Sequence, residues 1–289
     1  MSKKRVIVTG GSGLAGKWIL KHFVEQNYEV INLDIKAPDE QICRTIITDL
    51  TDLGQVHNVL SQYAGGHREK VAGIVHFAAI PQAYTHPNEV CYRNNVMTTY
   101  NILEAAANFN IDKVVIASSE SSYGICFASE FFEPKYLPMD EEHPQLPEDS
   151  YGLSKVVNEI AAETFHRRSG MQVVSFRLGN IIVPERYADV KGRFDHPEDR
   201  LRILWSYIDA RDVASACQLA IETDGLGAVA LNLAADDISS DKPTAELVKR
   251  YLPGVTDIRE PLEGRTTLLS SAKAKRLLGW KAKYNIMEQ

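Results

Sequence analysis

The chain has 289 residues, of which 44% are hydrophobic, so it can bury a full core as one large domain or as a domain with a lobe. Its formal net charge is −6 and it contains no basic block, which makes nucleic acid and anionic membranes poor partners. No apolar run approaches the ~20 residues of a membrane span, and the first predicted strand begins by Arg5, so we expect neither a membrane segment nor a signal peptide.

The first predicted elements are a strand, a glycine-rich loop, a helix and a second strand. The apolar run Val6–Val8 predicts the first strand, and the loop TGGSGLAG follows at Thr9–Gly16. Apolar residues at helical spacing then continue to about Asn27. A second apolar run, Val30–Leu33, closes on Asp34.

This order of elements predicts a dinucleotide-binding site. Gly10 allows a tight turn, Gly13 lets the backbone approach a pyrophosphate, and Gly16 lets the helix lie close to the sheet. The N–H groups at the start of the helix then face the phosphates. Asp34 follows Gly16 by 18 residues, where its carboxylate can accept hydrogen bonds from ribose hydroxyls and repel a 2′-phosphate. The pattern therefore favours NAD over NADP, and chance glycines in a surface turn are the weaker alternative.

The rest of the chain alternates short apolar runs with helical patterns. The region Ser61–Lys70 indicates the end of a helix and a glycine turn. Strands are predicted at Cys43–Ile47, Val71–Phe77, Val114–Ala117, Val173–Leu178 and Val229–Leu233. Helices are predicted at Asn88–Phe109, Ser150–Arg168, Asp209–Glu222, Pro243–Tyr251 and Ser271–Leu278. Near-continuous apolar strands that alternate with helices favour an α/β fold with a parallel sheet covered on both faces.

The alternation breaks after Leu178. The segment Asn180–Trp205 is mostly polar and has no clean period. We expect residues 1–179 to form the nucleotide-binding domain and residues 180–289 to form mostly a small substrate-binding lobe. Within that lobe, 206–233 is expected to return to the main domain. The lobe should cover the carboxyl edge of the sheet, where open α/β sheets bind their ligands.

The strongest catalytic pattern is Tyr151 with Lys155. Residues four apart lie on one face of a helix, so the two side chains project together. A phenol with its ordinary pKa of ~10 is a poor base at neutral pH, but a neighbouring cation stabilises the phenolate. Ser119 ends a predicted strand and supplies a hydroxyl that can hold the reacting oxygen. A tyrosine and lysine at this spacing are usually part of a solvated helix face, but the glycine loop and Asp34 favour a catalytic role.

Together these motifs resemble those of the extended short-chain dehydrogenase/reductases, the sugar epimerase/dehydratase family, and the resemblance covers nearly the whole chain. The matching residues are TGGSGLAG (Thr9–Gly16), Asp34, Asp49 with Leu50, HFAA (His76–Ala79), NNV (Asn94–Val96), SSESSYG (Ser118–Gly124), YGLSK (Tyr151–Lys155), RLGN (Arg177–Asn180) and LLGW (Leu277–Trp280).

The resemblance implies a Rossmann-type doubly wound parallel sheet with a small C-terminal lobe, and NAD as cofactor. It also implies a catalytic triad of Ser119, Tyr151 and Lys155, with Tyr151 as base and hydride transfer to NAD. Lys155 would in addition hold the nicotinamide ribose. The residues implied to bind the cofactor are Gly10, Gly13, Leu14, Gly16, Asp34, Asp49, Leu50, Ala78, Asn95, Tyr151 and Lys155.

Departures from the family pattern concern the substrate. Glu120 and Ser121 stand where dehydratases carry an Asp-Glu pair, which disfavours dehydration. Trp205 stands where nucleotide-sugar enzymes usually have an arginine that grips the diphosphate. Arg200 and Trp205 share the spacing of uronate dehydrogenases, in which such an arginine binds the substrate's anion. The alternative is that Arg200 is an exposed charge in a polar loop. The implied substrate contacts are Ser119, Glu120, Ser121, Asn180 and Arg200.

The favoured function is an NAD-dependent dehydrogenase of a small sugar, uronate or sugar phosphate. The alternative is an NDP-sugar 4-epimerase that uses the same triad, and a non-catalytic NAD(H)-sensing protein is a third hypothesis. The expected partner is a small-molecule carbohydrate, and a homodimer is one option for assembly. Four widely spaced cysteines without a metal-binding pattern indicate reduced thiols, no metal and a cytoplasmic location.

Overall fold

The computed structural model describes residues 3–64 and 70–289. Its strands, in chain order, are β1 (Arg5–Thr9), β2 (Glu29–Asp34), β3 (Arg44–Ile47), β4 (Val71–His76), β5 (Lys113–Ser119), β6 (Gln172–Leu178), β7 (Ile181–Ile182), β8 (Ile208–Asp209) and β9 (Ala228–Leu233). Its α-helices are α1 (Leu14–Glu25), α2 (Leu53–Ala64), α3 (Asn88–Asn108), α4 (Ser150–Ser169), α5 (Tyr187–Lys191), α6 (Ala210–Glu222), α7 (Thr244–Tyr251) and α8 (Ala272–Leu278).

A seven-stranded parallel sheet organises the fold, in the order β3-β2-β1-β4-β5-β6-β9. The chain moves outward from β1 in one direction and then returns to continue in the other, which is the doubly wound Rossmann arrangement. Apolar side chains of α1, α6 and α8 bury one face of the sheet, and those of α2, α3 and α4 bury the other. The predicted fold class is therefore confirmed.

The strand β9 belongs to this sheet although it follows the polar segment in sequence. It pairs in parallel with β6, from Val173 opposite Ala228 to Leu178 opposite Leu233. The helix α6, which leads into it, is capped by Asp209, whose side chain accepts a hydrogen bond from the Arg211 N–H at 2.7 Å. The region 206–233 thus packs with the main sheet.

The segment 180–205 is more regular than its sequence indicates. It contains β7, which pairs with β8 in a separate two-stranded parallel sheet, and also the short helix α5. A 3₁₀ helix spans Pro197–Ile203. These elements are too short to produce a hydrophobic period, so the sequence does not reveal them.

A separate apolar cluster forms the core of the lobe. Trp205 is fully buried there, and its ring nitrogen donates to the Pro197 carbonyl at 2.7 Å. Its ring lies 5.9 Å from that of Tyr251, at the end of α7. The aromatic side chain at position 205 therefore stabilises the lobe.

Two further observations concern the described residues as a whole. None of the helices within 3–64 and 70–289 is long and apolar enough to cross a membrane. The same residues contain no cluster of three or more His, Cys, Asp or Glu side chains that could hold a metal ion. The glycine turn predicted near Lys70 lies outside the described residues.

Candidate active site

A cavity of about 730 Å³ lies at the carboxyl ends of the central strands. The glycine loop and Asp34 line one end of it, and Asn180 and Arg186 line the other. Ser119, Tyr151 and Lys155 are also part of its wall. This edge, where the strand order reverses around β1, is the place at which α/β sheets of this type bind ligands.

The glycine loop leaves no room for side chains at two of its positions. Gly10 has a φ of 73°, and a Cβ there would lie 2.5 Å from the backbone nitrogen of Ala78. A Cβ on Gly16 would overlap the carbonyl oxygen of Gly10. Gly13 is the N-cap of α1 and has no side chain to cap the helix, so the first N–H groups of α1 are left for a ligand. The loop fits the pyrophosphate of NAD.

The end of β2 places a fixed carboxylate at the predicted adenosine end of the cavity. Asp34 Oδ2 accepts from the Ser12 N–H at 2.9 Å and Oδ1 accepts from the Lys36 N–H at 3.3 Å. Asp49 and Leu50 form the next part of the cavity wall. These residues fit an adenosine ribose and base.

We expect NAD to bind at least ~1.4 kcal/mol more tightly than NADP, a factor of about ten. The Asp34 carboxylate would face the 2′-phosphate of NADP and repel it. Calorimetric titration with both cofactors measures this ratio, and equal affinities would contradict the assignment. Asp34→Asn should lower the ratio of NAD affinity to NADP affinity. Lys36→Ala should raise that ratio, because Lys36 lines the same end of the cavity and is the cation that could reach the 2′-phosphate of NADP.

The three residues of the predicted catalytic triad come together where α4 packs on β5. Asp149 caps α4 by accepting a hydrogen bond from the Gly152 N–H at 2.7 Å. Tyr151 and Lys155 share one face of this helix, with the ammonium 5.2 Å from the centroid of the phenol ring. Lys155 Nζ also donates to the Ala117 carbonyl at 2.7 Å. Ser119 ends β5, and its hydroxyl oxygen accepts from the Ser121 N–H at 3.1 Å.

Burial dominates the electrostatics of the triad. It raises the pKa of Tyr151, and the nearby Ser119 hydroxyl opposes that rise. Burial also lowers the pKa of Lys155 to about 8, against the opposing effects of Cys91 and Glu159. The phenol is therefore protonated at neutral pH in the protein alone. A role as base therefore needs positive charge in addition to that of Lys155, and oxidised NAD would supply it when bound.

A buried hydrogen-bonded group holds the end of β5 against α4 and β6. The Ser118 hydroxyl donates to Glu159 Oε1 at 2.5 Å. Arg177 donates to both carboxylate oxygens of Glu159, at distances of 2.8 to 3.2 Å. Ser118 precedes Ser119 in the chain, and Glu159 follows Lys155 by one helical turn. The Ser118–Glu159 hydrogen bond therefore joins the two elements that carry the predicted triad, β5 and α4, and the ion pair holds Glu159 in place.

Most of the residues predicted to bind the cofactor line the cavity, but Asn95 does not. Its side chain is 1% exposed and is engaged with the backbone of Ile80 at 2.8 and 3.0 Å. Asn94 and Thr98, on the neighbouring faces of α3, line the wall instead. The prediction that Asn95 lines the cofactor path is corrected, and we assign it to holding the Ile80 loop. The predicted cofactor residues that do line the cavity are Gly10, Gly13, Leu14, Gly16, Asp34, Asp49, Leu50, Ala78, Tyr151 and Lys155.

The far end of the cavity holds the residues predicted to meet the substrate. Glu120, Ser121 and Asn180 line it. Phe127 and Arg186 also line it, and the sequence analysis did not single them out. Both lie in irregular or short segments, where no motif or period marks a residue as part of a site.

Arg200 lies behind this wall and is 8% exposed. Its Nε donates to Ser239 Oγ at 2.6 Å, and Nη2 donates to Asn180 Oδ1 at 3.1 Å. Among the residues described, no carboxylate oxygen lies within 4.0 Å of its guanidinium. Burial lowers the pKa of Arg200 to about 10, and Glu120 opposes the shift. The alternative of an exposed loop charge is therefore wrong, because Arg200 is a buried cation beside a cavity residue.

Comparison with known proteins decides the family. A model of the NAD dependent epimerase/dehydratase family matches residues 6–197. The chain belongs to this family. As a member of the epimerase/dehydratase family it is an NAD-dependent enzyme of the extended short-chain dehydrogenase/reductase type, as the resemblance predicted.

Relatives within the family carry two different activities in their names. A putative UDP-glucose 4-epimerase of Methanocaldococcus jannaschii is 31% identical over 71% of this chain and 62% of its own length. A uronate dehydrogenase of Pseudomonas putida is 26% identical over 81% of this chain and 77% of its own length. A crystal structure of UDP-galactose 4-epimerase superimposes with a TM-score of 0.69 at 25% identity, covering 98% of this chain and 95% of that one.

Proposed function

We propose that this protein is an NAD-dependent dehydrogenase that oxidises a hydroxyl group of a small acidic sugar, such as a uronate. The observation that carries the proposal is the buried guanidinium of Arg200 without a carboxylate partner among the described residues. A buried charge without an opposite charge is costly, and an anionic substrate group at Asn180 would compensate it.

The proposed reaction uses the triad in its family roles. Ser119 holds the reacting oxygen, and Tyr151 accepts the proton that this oxygen loses. The carbinol carbon would give up a hydride, which is a proton with two electrons, and NAD would be the oxidant that accepts it. Lys155 keeps positive charge beside the phenol while the proton moves.

Trp205 supports the proposal that the substrate is a small sugar and not a nucleotide sugar. In this chain the indole is fully buried in the lobe core, so position 205 offers no cation to a diphosphate. Among the described residues, Arg186 is the arginine that lines the substrate end of the cavity, and it forms an exposed ion pair with Asp189 at 3.7 Å.

The second candidate is an NDP-sugar 4-epimerase. It is favoured by the relatives named UDP-glucose 4-epimerase and by the superposition on UDP-galactose 4-epimerase. The same triad serves both reactions, so the geometry of Ser119, Tyr151 and Lys155 does not separate the two candidates.

Initial rates on matched substrates test the proposal. We expect a hexuronate to reduce NAD with a kcat/KM at least about tenfold above that of the neutral hexose with the same ring configuration. UDP-glucose and UDP-galactose should give no NADH. If the neutral sugar is oxidised as well as the acid, the anionic-substrate proposal is wrong.

A further inference from the structure

Glu120 is a carboxyl group at the substrate end of the cavity that the triad mechanism does not use. It follows Ser119 directly and lines the cavity together with Ser121 and Asn180. It also borders a small void beneath the cavity, beside Arg202 and Ser206. Among the described residues, no cation lies within 4.0 Å of its oxygens.

The charge that chiefly favours ionised Glu120 is the guanidinium of Arg200, which likewise has no ion-pair partner within 4.0 Å among the described residues. The two groups interact electrostatically across the wall, and the backbone N–H of Asn180 also bonds to Glu120. An anionic substrate group drawn to Arg200 would therefore come close to Glu120. Two carboxylates in contact repel, unless one of them carries a proton.

We propose that Glu120 determines specificity for the acidic substrate: as a neutral carboxylic acid it donates a hydrogen bond to the substrate's anionic group, while Arg200 supplies the positive charge. This inference rests on the proposed function and assigns the group that recognises the anion. It involves no bond breaking, since the proton of Glu120 stays on its oxygen.

The surroundings of Glu120 favour the neutral form at pH 7. Burial raises its pKa to about 8, against the opposing effects of Arg200 and the Asn180 N–H. The charged and titratable groups that face it across the cavity and the void are Arg200 and Arg202 from the segment 197–203, Tyr123 and Cys126 after β5, Tyr151 and Lys155 from α4, and Arg186.

The proposal has a definite pH dependence. Below pH 8 Glu120 is neutral and can donate to the anion. Above pH 8 Glu120 becomes a carboxylate. It then repels the substrate's anionic group and neutralises the positive charge of Arg200. With a pKa of about 8, the neutral fraction falls about tenfold between pH 7 and pH 9. The kcat/KM for an acidic substrate should fall by the same factor relative to that for its neutral counterpart.

The test is the ratio of kcat/KM for a hexuronate and the matching neutral hexose, measured at pH 7 and pH 9. A uronate is the right probe because its carboxylate stays ionised over this range, whereas a phosphate titrates near pH 6. Lys155 also titrates near pH 8, but it serves both substrates, so its effect cancels in the ratio.

Glu120→Gln is the matched variant, because an amide keeps a donor and cannot ionise. We expect the ratio to fall about tenfold in the wild type and to stay constant in Glu120→Gln. A wild-type ratio that favours the acid but does not change with pH would overturn the role of Glu120 and leave the proposed function in place. The role of Glu120 would also be overturned if the ratio of kcat/KM values fell about tenfold from pH 7 to pH 9 in Glu120→Gln as well. A wild type that prefers the neutral sugar at both pH values would overturn both proposals. The wild-type measurement decides even if the variant fails to fold.

Discussion

Tyr151→Phe should lower turnover by about 10³-fold or more while NAD affinity changes by less than about twofold. The ring keeps its packing against Phe127, whose centroid lies 6.2 Å away, but the group that accepts the proton is gone. Lys155→Met should lose both turnover and NAD affinity, because Lys155 is expected to serve the phenol and the nicotinamide ribose together. Steady-state rates and NAD titration by calorimetry measure the two effects separately.

Tyr100→Phe provides the matched control for this experiment. Tyr100 is 42% exposed on α3 and is not among the residues that line the cavity. Its loss of a hydroxyl group should leave turnover unchanged. A Tyr151→Phe variant that retained about a third of the wild-type rate would remove the tyrosine from the role of base.

Arg200→Ala should cost roughly 2–4 kcal/mol in kcat/KM for an acidic sugar, which is about 30-fold to 1000-fold. A guanidinium can hold a carboxylate with two parallel hydrogen bonds, and those bonds position the carbinol carbon for reaction. Part of the loss should therefore appear in kcat and not only in KM. Arg200→Lys keeps the positive charge but loses the paired N–H donors of the guanidinium, so we expect a loss of kcat/KM smaller than that of Arg200→Ala.

The rate of Arg200→Ala with a neutral sugar distinguishes the loss of anion binding from a general disturbance of the site. Arg200 also holds Asn180 and Ser239, so its removal disturbs the wall for every substrate. Oxidation of the neutral sugar should change far less than oxidation of the acid. Arg186→Ala is the control cation, because Arg186 lines the same end of the cavity with a side chain that is 60% exposed. If Arg186→Ala lowers oxidation of the acid more than Arg200→Ala does, Arg186 is the anion anchor.

The glycine-loop end of the cavity and the proximity of Tyr151 to Lys155 could be predicted because local sequence determines them. Gly10 is required by its φ of 73° and Gly16 by its contact with the Gly10 carbonyl within one strand-loop-helix unit. A tyrosine and lysine four residues apart share a helix face wherever the helix packs. Asp34 closes a strand whose apolar pattern is visible without any long-range contact. Such features do not depend on how the rest of the chain folds.

The substrate end and the α3 side of the cavity depend on long-range packing, and there prediction from sequence was weaker. The NNV motif on α3 carries no sign of which asparagine faces the cavity, since that depends on how α3 rotates against the Ile80 loop. Arg200 is polar and lies in a polar segment, so its burial against Asn180 and Ser239 has no local signal.

The amount of NADH formed from a limiting substrate is the most direct measurement of whether this enzyme oxidises acidic sugars. With excess NAD and a limiting hexuronate, we expect about one NADH per sugar consumed. With limiting UDP-galactose we expect no NADH and no UDP-glucose. Conversion of UDP-galactose to UDP-glucose without net NADH, together with unchanged hexuronate, would contradict the proposed dehydrogenase and establish the epimerase.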